Sequence, residues 1–315
     1  MGSKIATREA YGKALVEAGR NNPGLVVLDA DLSKSTKTAD FAKVFPDRFF
    51  NMGIAEQNLM GTAAGFAAAG KIPFASTFAV FATGRAFDQI RNSIAYTGLN
   101  VKIAATHAGI TVGEDGGSHQ SVEDIALMRS LPNMTVFVPA DEAETYGAVR
   151  AAVEIDGPVY IRLGRAGAPP IHGEGFNFQP GRAVVVREGK DATIIATGIM
   201  VSMALEAAGI LAEEGLQARV LSMHTIKPLD AGAVIAAARE TGALVTAEEH
   251  SILGGLGGAV AEVVCESCPV PVIRVGLRDV FGQSGKPAEL LEKYGLTPSD
   301  MAKAVKVAVE KKSYR

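Results

Sequence analysis

The chain has no tryptophan, few aromatic residues (6%) and only two cysteines among 315 residues. The cysteines stand together in Cys265-Glu266-Ser267-Cys268-Pro269. A redox pair of this spacing follows a strand and opens a helix, whereas this one closes an apolar helical run. A zinc site needs two further ligands, and no second pair exists. The pair therefore reads as structural or incidental, and so few cysteines suit a reducing, cytoplasmic compartment. Charge bias is also missing: 31 basic residues face 34 acidic ones, for a net charge of −3, with no long run of either sign. This argues against nucleic acid or a membrane as partner and leaves room for a local phosphate-binding cluster. The N-terminus shows no apolar signal core before its first charges. The stretch Leu59–Gly84 carries a single charge, Lys71, but Lys71 and Pro73 divide it into pieces too short to span a bilayer. Walker A, metalloprotease and nucleophile-elbow patterns are absent. Gly282-Gln283-Ser284-Gly285-Lys286-Pro287 has the wrong spacing for the first, and Gly254-Gly255-Leu256-Gly257-Gly258 is not a dinucleotide fingerprint.

What the chain does have is 48% hydrophobic residues and 35 glycines, enough apolar surface for about two domains rich in tight turns. Short apolar runs alternate with helical patterns. Strands are predicted at Leu25–Leu28, Ile72–Ser76, Val101–Thr106, Thr135–Val138 and Val159–Leu163, with helices at Thr7–Arg20, Ala55–Ala69, Phe81–Tyr96, Ser121–Ser130 and Asp141–Ile155. The Gly- and Pro-rich stretch from Gly164 to Arg182 breaks this rhythm. It then resumes, with strands at Ala192–Ala196, Ala218–Ser222, Ala243–Ala247 and Val270–Val275 and helices at Val201–Glu214, Asp230–Thr241, Gly257–Cys265, Lys286–Lys293 and Pro298–Lys311. The expected fold class is α/β: two three-layer α/β/α domains, residues 1–165 and 183–315, joined by a linker at 166–182, with a mostly parallel sheet in the first.

Three segments carry candidate chemistry. Glu56 opens a helix that continues through Leu, Met, Gly, Ala and Phe. It reads either as a first-turn carboxylate favoured by the helix dipole or as a carboxyl set against an apolar wall for proton transfer. Phe78 and Phe81 have core spacing, yet two such rings also make a slot for a flat ligand. The segment Thr106–Gln120 follows a predicted strand and holds two of the five histidines, two acids and four glycines. Loops of this kind are where open α/β sheets place ligands.

Taken together these segments resemble transketolase, a thiamine diphosphate enzyme. The resemblance rests on Gly53–Glu56, Thr77–Phe81 and the run from His107 to Gln120. Ala30-Asp31-Leu32, Ile226–Asp230 and Ser284–Leu291 extend it in family order over nearly the whole chain. It covers the pyrimidine-binding and C-terminal domains only. The Gly-Asp-Gly segment of the family's diphosphate-binding domain is absent. The resemblance therefore implies the C-terminal subunit of a split transketolase. Thiamine diphosphate and Mg2+ or Ca2+ would be held with a separate N-terminal subunit that supplies the metal ligands. The assembly implied is a heterotetramer with two copies of each chain, self-associating through the first domain.

The same resemblance assigns roles. Glu56 matches the glutamate that bonds N1′ of the aminopyrimidine and activates the cofactor. Phe78 and Phe81 match the aromatic pocket around that ring, although Ala82, Thr83 and Gly84 follow where many relatives have a third aromatic. Asp31 and Leu32 match residues near the thiazolium. His107, Asp115 and His119 match substrate-channel residues, the histidines donating to the developing oxyanion and sugar hydroxyls. Arg8, Ser35 and Arg165 match the group around the sugar phosphate. The implied reaction moves a two-carbon ketol unit from a ketose phosphate such as xylulose 5-phosphate to an aldose phosphate in the pentose phosphate pathway. The rival readings are the β subunit of a 2-oxo acid dehydrogenase E1 component, a fragment of a deoxyxylulose-phosphate synthase, and a non-catalytic regulatory homologue. The Glu114-Asp115-Gly116 loop with His107, and the Ser284–Leu291 segment, favour transketolase. His250 and the Gly254–Gly258 loop are left to packing or subunit contact.

Overall fold

Every residue of Leu25–Asp29, Lys102–Thr106 and Val159–Arg162 is buried. Strands buried on both faces belong to a sheet sandwiched between helices. The computed structural model, which describes residues 3–173 and 175–313, builds two such sheets. The ends of the expected domain bounds, residues 1–2 and 314–315, lie outside the described residues. In chain order the strands are β1 (Ile5–Ala6), β2 (Leu25–Asp29), β3 (Phe49–Asn51), β4 (Ile72–Phe78), β5 (Lys102–Thr106), β6 (Thr135–Phe137), β7 (Val159–Arg162), β8 (Gly167–Ala168), β9 (Val184–Arg187), β10 (Ala192–Ala196), β11 (Ala218–Ser222), β12 (Thr225–Lys227), β13 (Leu244–Ser251) and β14 (Val272–Leu277).

The larger sheet has the order β12-β6-β7-β5-β4-β2-β3 and is parallel except for β12 against β6. Alternate residues feed two cores. Leu25, Val27, Phe74, Ala104, Phe137 and Ile161 pack with Tyr11, Leu15 and Val149 from helices Thr7–Asn21 and Glu142–Glu154. Val26, Leu28, Ala75, Ile103 and Val136 face the other way, onto Leu59, Met60 and Ala63 of helix Glu56–Ala68 and onto Ile90 and Ile94. The result is three layers. The smaller sheet, β14-β13-β10-β11-β9, is parallel except for β9 against β11. Its Ile194 and Val245 pack on helices Met200–Glu213 and Pro298–Ser313. Its Ile195, Leu221 and Leu244 point into the core that also serves the first sheet. Among the described residues no helix is long and apolar enough to cross a membrane.

Besides short elements that were not predicted, the structure departs from the sequence reading in the following ways. The helix predicted at Phe81–Tyr96 is two π-helical segments, Phe81–Arg85 and Ile90–Ala95, around a short α turn at Phe87–Gln89. Thr83 Oγ1 donates to the Ala79 carbonyl (2.8 Å), a back-bond of the kind that distorts a helical turn. The helix predicted from Ser121 begins at Asp124, because the Ser121 carbonyl accepts from Gly109 N (2.8 Å) and ties that residue into the preceding loop. Strand β12 comes from the second half of the chain yet extends the first sheet, so the sheet boundary does not follow the chain. Within the predicted linker, β8 pairs with β1, and this two-stranded ribbon brings the start and end of the first half together.

Candidate functional site

The predicted site residues gather where β2, β4, β5 and β7 end, the edge of a parallel sheet at which ligands bind. After β2, buried Asp29 organises the turn: it accepts from Leu32 N (2.6 Å), Thr36 Oγ1 (2.7 Å) and Thr38 Oγ1 (2.8 Å). Burial raises its pKa, against the pull of those hydrogen bonds. Asp31 adopts φ 63° and accepts from Asn51 Nδ2 (2.8 Å), and Leu32 follows half-buried. Ser35 contributes its carbonyl, which accepts from Arg8 Nη1 (3.1 Å). Arg8 sits in the first turn of its helix. The ribbon and the bonds Arg8 N to Gly164 O (3.4 Å) and Gly164 N to Thr7 Oγ1 (2.8 Å) draw it to the end of β7, where Arg165 lies.

His107 ends β5 and is the hub. Its ring stacks on Phe78 (centroids 3.8 Å apart), its Nδ1 meets Thr106 Oγ1 (2.8 Å) and its Nε2 meets Arg8 Nη1 (3.2 Å). Burial, followed by the charges of Arg8 and Arg165, pushes the imidazole down to about 3, so it is neutral. A guanidinium only donates, so Nε2 is the acceptor and the proton is assigned to Nδ1. This differs from the expected role of donor: here Nε2 accepts from Arg8. Arg8 itself is depressed by burial and by Arg165. Its buried Nε has no hydrogen-bond partner among the described residues. Two cations held this close favour an anion beside them. Arg165 also donates through Nη1 to the Val112 carbonyl and pairs with exposed Glu114 (3.7 Å), so it braces the loop as well.

Phe78 and Phe81 lie nearly parallel (11°, 5.9 Å). Phe78 is consumed on the His107 side, which leaves Phe81 as the more open ring. His119 meets Phe81 edge-on (5.4 Å) and its Nδ1 contacts Ser118 Oγ (3.0 Å). Asp115 is exposed on the same loop. Glu56, 3% exposed, is the first residue of its helix, and its Oε1 accepts from Arg85 Nη1 (2.9 Å). The Arg85 guanidinium also lies over the Phe81 ring (4.8 Å). A continuous line of contacts therefore runs from Glu56 through Arg85, Phe81, Phe78 and His107 to Arg8. Neither Asp31 nor Asp115 has a place in that line: Asp31 bonds to Asn51, and Asp115 is exposed.

Sequence reasoning missed Arg85, one residue beyond the segment that it weighed. It also missed how the second half of the chain holds the loop 107–120. Glu249 Oε1 accepts from Thr111 N (2.6 Å), and Gln120 Nε2 donates to the Gln283 carbonyl (2.9 Å). His250 Nε2 accepts from Ala126 N (3.3 Å), and Glu248 accepts from Leu256 N (2.7 Å) and Gly257 N (2.8 Å) at the Gly254–Gly258 turn. Both segments left to packing or subunit contact are thus packed within the chain. Cys265 and Cys268 are free.

Comparison with known proteins decides the family. The model "Transketolase, pyrimidine binding domain" matches residues 3–170, and "Transketolase, C-terminal domain" matches residues 181–301. The chain belongs to the transketolase family. It is 47% identical, over 98% of its own length and 96% of the relative's, to a 6-deoxy-6-sulfo-D-fructose transketolase subunit of Clostridium sp. (strain MSTE9). Human transketolase is 41% identical over 99% of this chain, but the match takes up only 50% of the human protein. Among solved structures, a split gene transketolase described as an inactive β4 tetramer superposes with TM-score 0.92 at 65% identity, covering 98% of this chain and 99% of that one. This transketolase-family chain is thus similar along nearly its whole length to a transketolase subunit and to a split gene transketolase chain, and its two halves correspond to the family's pyrimidine-binding and C-terminal domains.

Proposed function

We propose that the chain is the catalytic C-terminal subunit of a two-chain, thiamine diphosphate-dependent transketolase that takes a ketose phosphate such as xylulose 5-phosphate as donor and an aldose phosphate as acceptor, in a cytoplasmic pentose phosphate route. The observation that carries this reading is the buried Glu56 carboxyl joined through Arg85 and Phe81 to the neutral His107 and the Arg8–Arg165 pair. A buried carboxyl beside a flat aromatic face fits an aminopyrimidine, and the two guanidiniums fit a phosphate. When bound, the cofactor supplies the electron sink for two-carbon transfer.

In this reading the chain's own residues do the following. Glu56 holds the proton at N1′ of the pyrimidine. Phe78 and Phe81 bear on that ring, with Asp31 and Leu32 toward the thiazolium side. His107, His119 and Asp115 meet the sugar hydroxyls. Arg8, Arg165 and the Ser35 segment hold the phosphate at the channel mouth. The diphosphate and its metal, Mg2+ or Ca2+, belong to a partner subunit, since this chain has no Gly-Asp-Gly segment. The assembly is a heterotetramer with two copies of each chain. The description of a close structural relative as an inactive β4 tetramer supports the need for a second kind of chain. The proposed domain division is 1–165, a linker at 166–182, and 183–315.

The test is to mix the chain with its diphosphate-binding partner, thiamine diphosphate and magnesium, and to compare donors. Xylulose 5-phosphate should turn over and pyruvate should not; the reverse would favour the dehydrogenase reading. In that assembly Glu56→Gln should fold and assemble yet lose ~10²–10⁴ in rate. Near-normal turnover would reduce Glu56 to a helix-dipole residue.

A further inference from the structure

Resting on the reading of Glu56 above, we propose that Arg85 is a latch on Glu56: its guanidinium neutralises the buried carboxylate until the aminopyrimidine ring displaces it. The two partners differ sharply in freedom. Glu56 has a 3% exposed side chain fixed in the first turn of a helix, whereas the Arg85 side chain is 51% exposed. A carboxylate taken from water needs a donor, and Arg85 Nη1 supplies one at 2.9 Å. The same guanidinium lies 4.8 Å from the centre of the Phe81 ring. Arg85 therefore covers both groups that the pyrimidine is proposed to use, the carboxyl and the open aromatic face. A flat ring and this guanidinium cannot occupy them together.

The local backbone suits such an exchange. Arg85 ends a π-helical segment, a wide turn, and a side chain at neighbouring Gly84 would meet nothing within 4 Å. Arg85 has solvent to move into and loses little by leaving. The latch thus keeps the site neutralised and folded, and it lowers cofactor affinity by the strength of one partly exposed charged pair.

Two measurements test this. In the first, the two-chain enzyme is titrated with thiamine diphosphate by calorimetry, in the presence of magnesium. Arg85→Ala should bind cofactor about two- to fivefold more tightly, the range of a partly exposed ion pair. In the Glu56→Gln background the same change should have no further effect. Unchanged or weaker binding by Arg85→Ala, or equal tightening in both backgrounds, would overturn the latch. In the second, thermal unfolding of this chain alone is followed. Arg85→Ala should melt lower than the unsubstituted chain, and Glu56→Gln with Arg85→Ala should recover the loss; equal melting of Arg85→Ala and the unsubstituted chain would overturn the proposed pairing. If the unsubstituted two-chain mixture binds no cofactor at all, the underlying reading fails and the latch with it. Cofactor binding that Arg85→Ala leaves unmoved sinks the latch alone.

Discussion

His107 combines a left-handed backbone (φ 58°), 3% exposure and an imidazole held neutral between Phe78 and Arg8. Its low proton affinity makes it a stability determinant with a definite sign. The free side chain titrates near 6.5, whereas the folded one is pushed down to about 3. Between those values the unfolded chain binds a proton that the folded chain refuses. The stabilisation is therefore full above pH 6.5 and is lost as pH falls toward 3. Urea unfolding at pH 7 and pH 5 should show His107→Asn flattening that dependence, by at most about 2 kcal/mol over the interval. Parallel profiles for both proteins would show that His107 does not titrate this way. Arg165 is a second residue whose role can be separated by measurement. In its proposed role at the sugar phosphate, distant from the reacting carbon, it would act mainly through binding, so Arg165→Ala should raise KM for phosphorylated donors more than it lowers kcat. The loss in kcat/KM should be roughly ten- to a hundredfold, with an unphosphorylated donor nearly unaffected. Equal losses for both donors would mean that its bond to the Val112 carbonyl, which braces the loop, is its only contribution. Glu56, His107 and Phe78 stood out in the sequence as candidates because Glu56 opens an apolar helical run and the other two lie where apolar strand patterns end. Arg85 was not, because a guanidinium over a ring and against a carboxylate depends on the width of a turn that residue spacing does not report.

At the scale of elements, the site depends on turns whose geometry cannot tolerate a side chain. Gly109 has φ 82°, and a Cβ there would stand 2.3 Å from the Glu249 carboxyl. That carboxyl holds Thr111 N, and with it the loop that carries Asp115 and His119. Gly109→Ala should cost about 2–4 kcal/mol in urea unfolding and loosen the loop, through backbone strain and displacement of Glu249 together. An unchanged unfolding midpoint would show that the loop can repack around the methyl group. The long buried strands were legible as unbroken apolar runs. Strands β3, β9 and β12 were not: they are short strands at sheet edges and lack a fully buried run. The π-helical segments were read as one α-helix because the same apolar spacing serves both. The ribbon of β1 and β8 lay hidden in a stretch whose glycines and prolines signal only irregularity, and yet it is what sets Arg8 beside Arg165.

At the scale of the whole molecule, the two halves are locked by a buried polar network and a shared core. Asp124 accepts from Tyr160 Oη (2.7 Å) and Arg162 Nε (2.7 Å), and Arg162 Nη2 donates to the Glu249 carbonyl (2.9 Å). One apolar cluster contains Ile103 of the first sheet and Ile195 of the second. The second half thus supports the loop 107–120 from behind, through Glu249 and the Gln283 carbonyl. The sequence could not show this, because Asp124, Arg162 and Glu249 are far apart in the chain and each alone reads as an ordinary charge. In the proposed function this chain brings the pyrimidine-side carboxyl and the sugar-phosphate contacts but not the diphosphate site. The most direct test is turnover by the chain purified to homogeneity, with thiamine diphosphate, magnesium, xylulose 5-phosphate and an aldose phosphate acceptor, before and after addition of the diphosphate-binding subunit. The chain alone should show no transketolase activity, and activity should appear on addition of the partner. Substantial turnover by the single chain would contradict that reading.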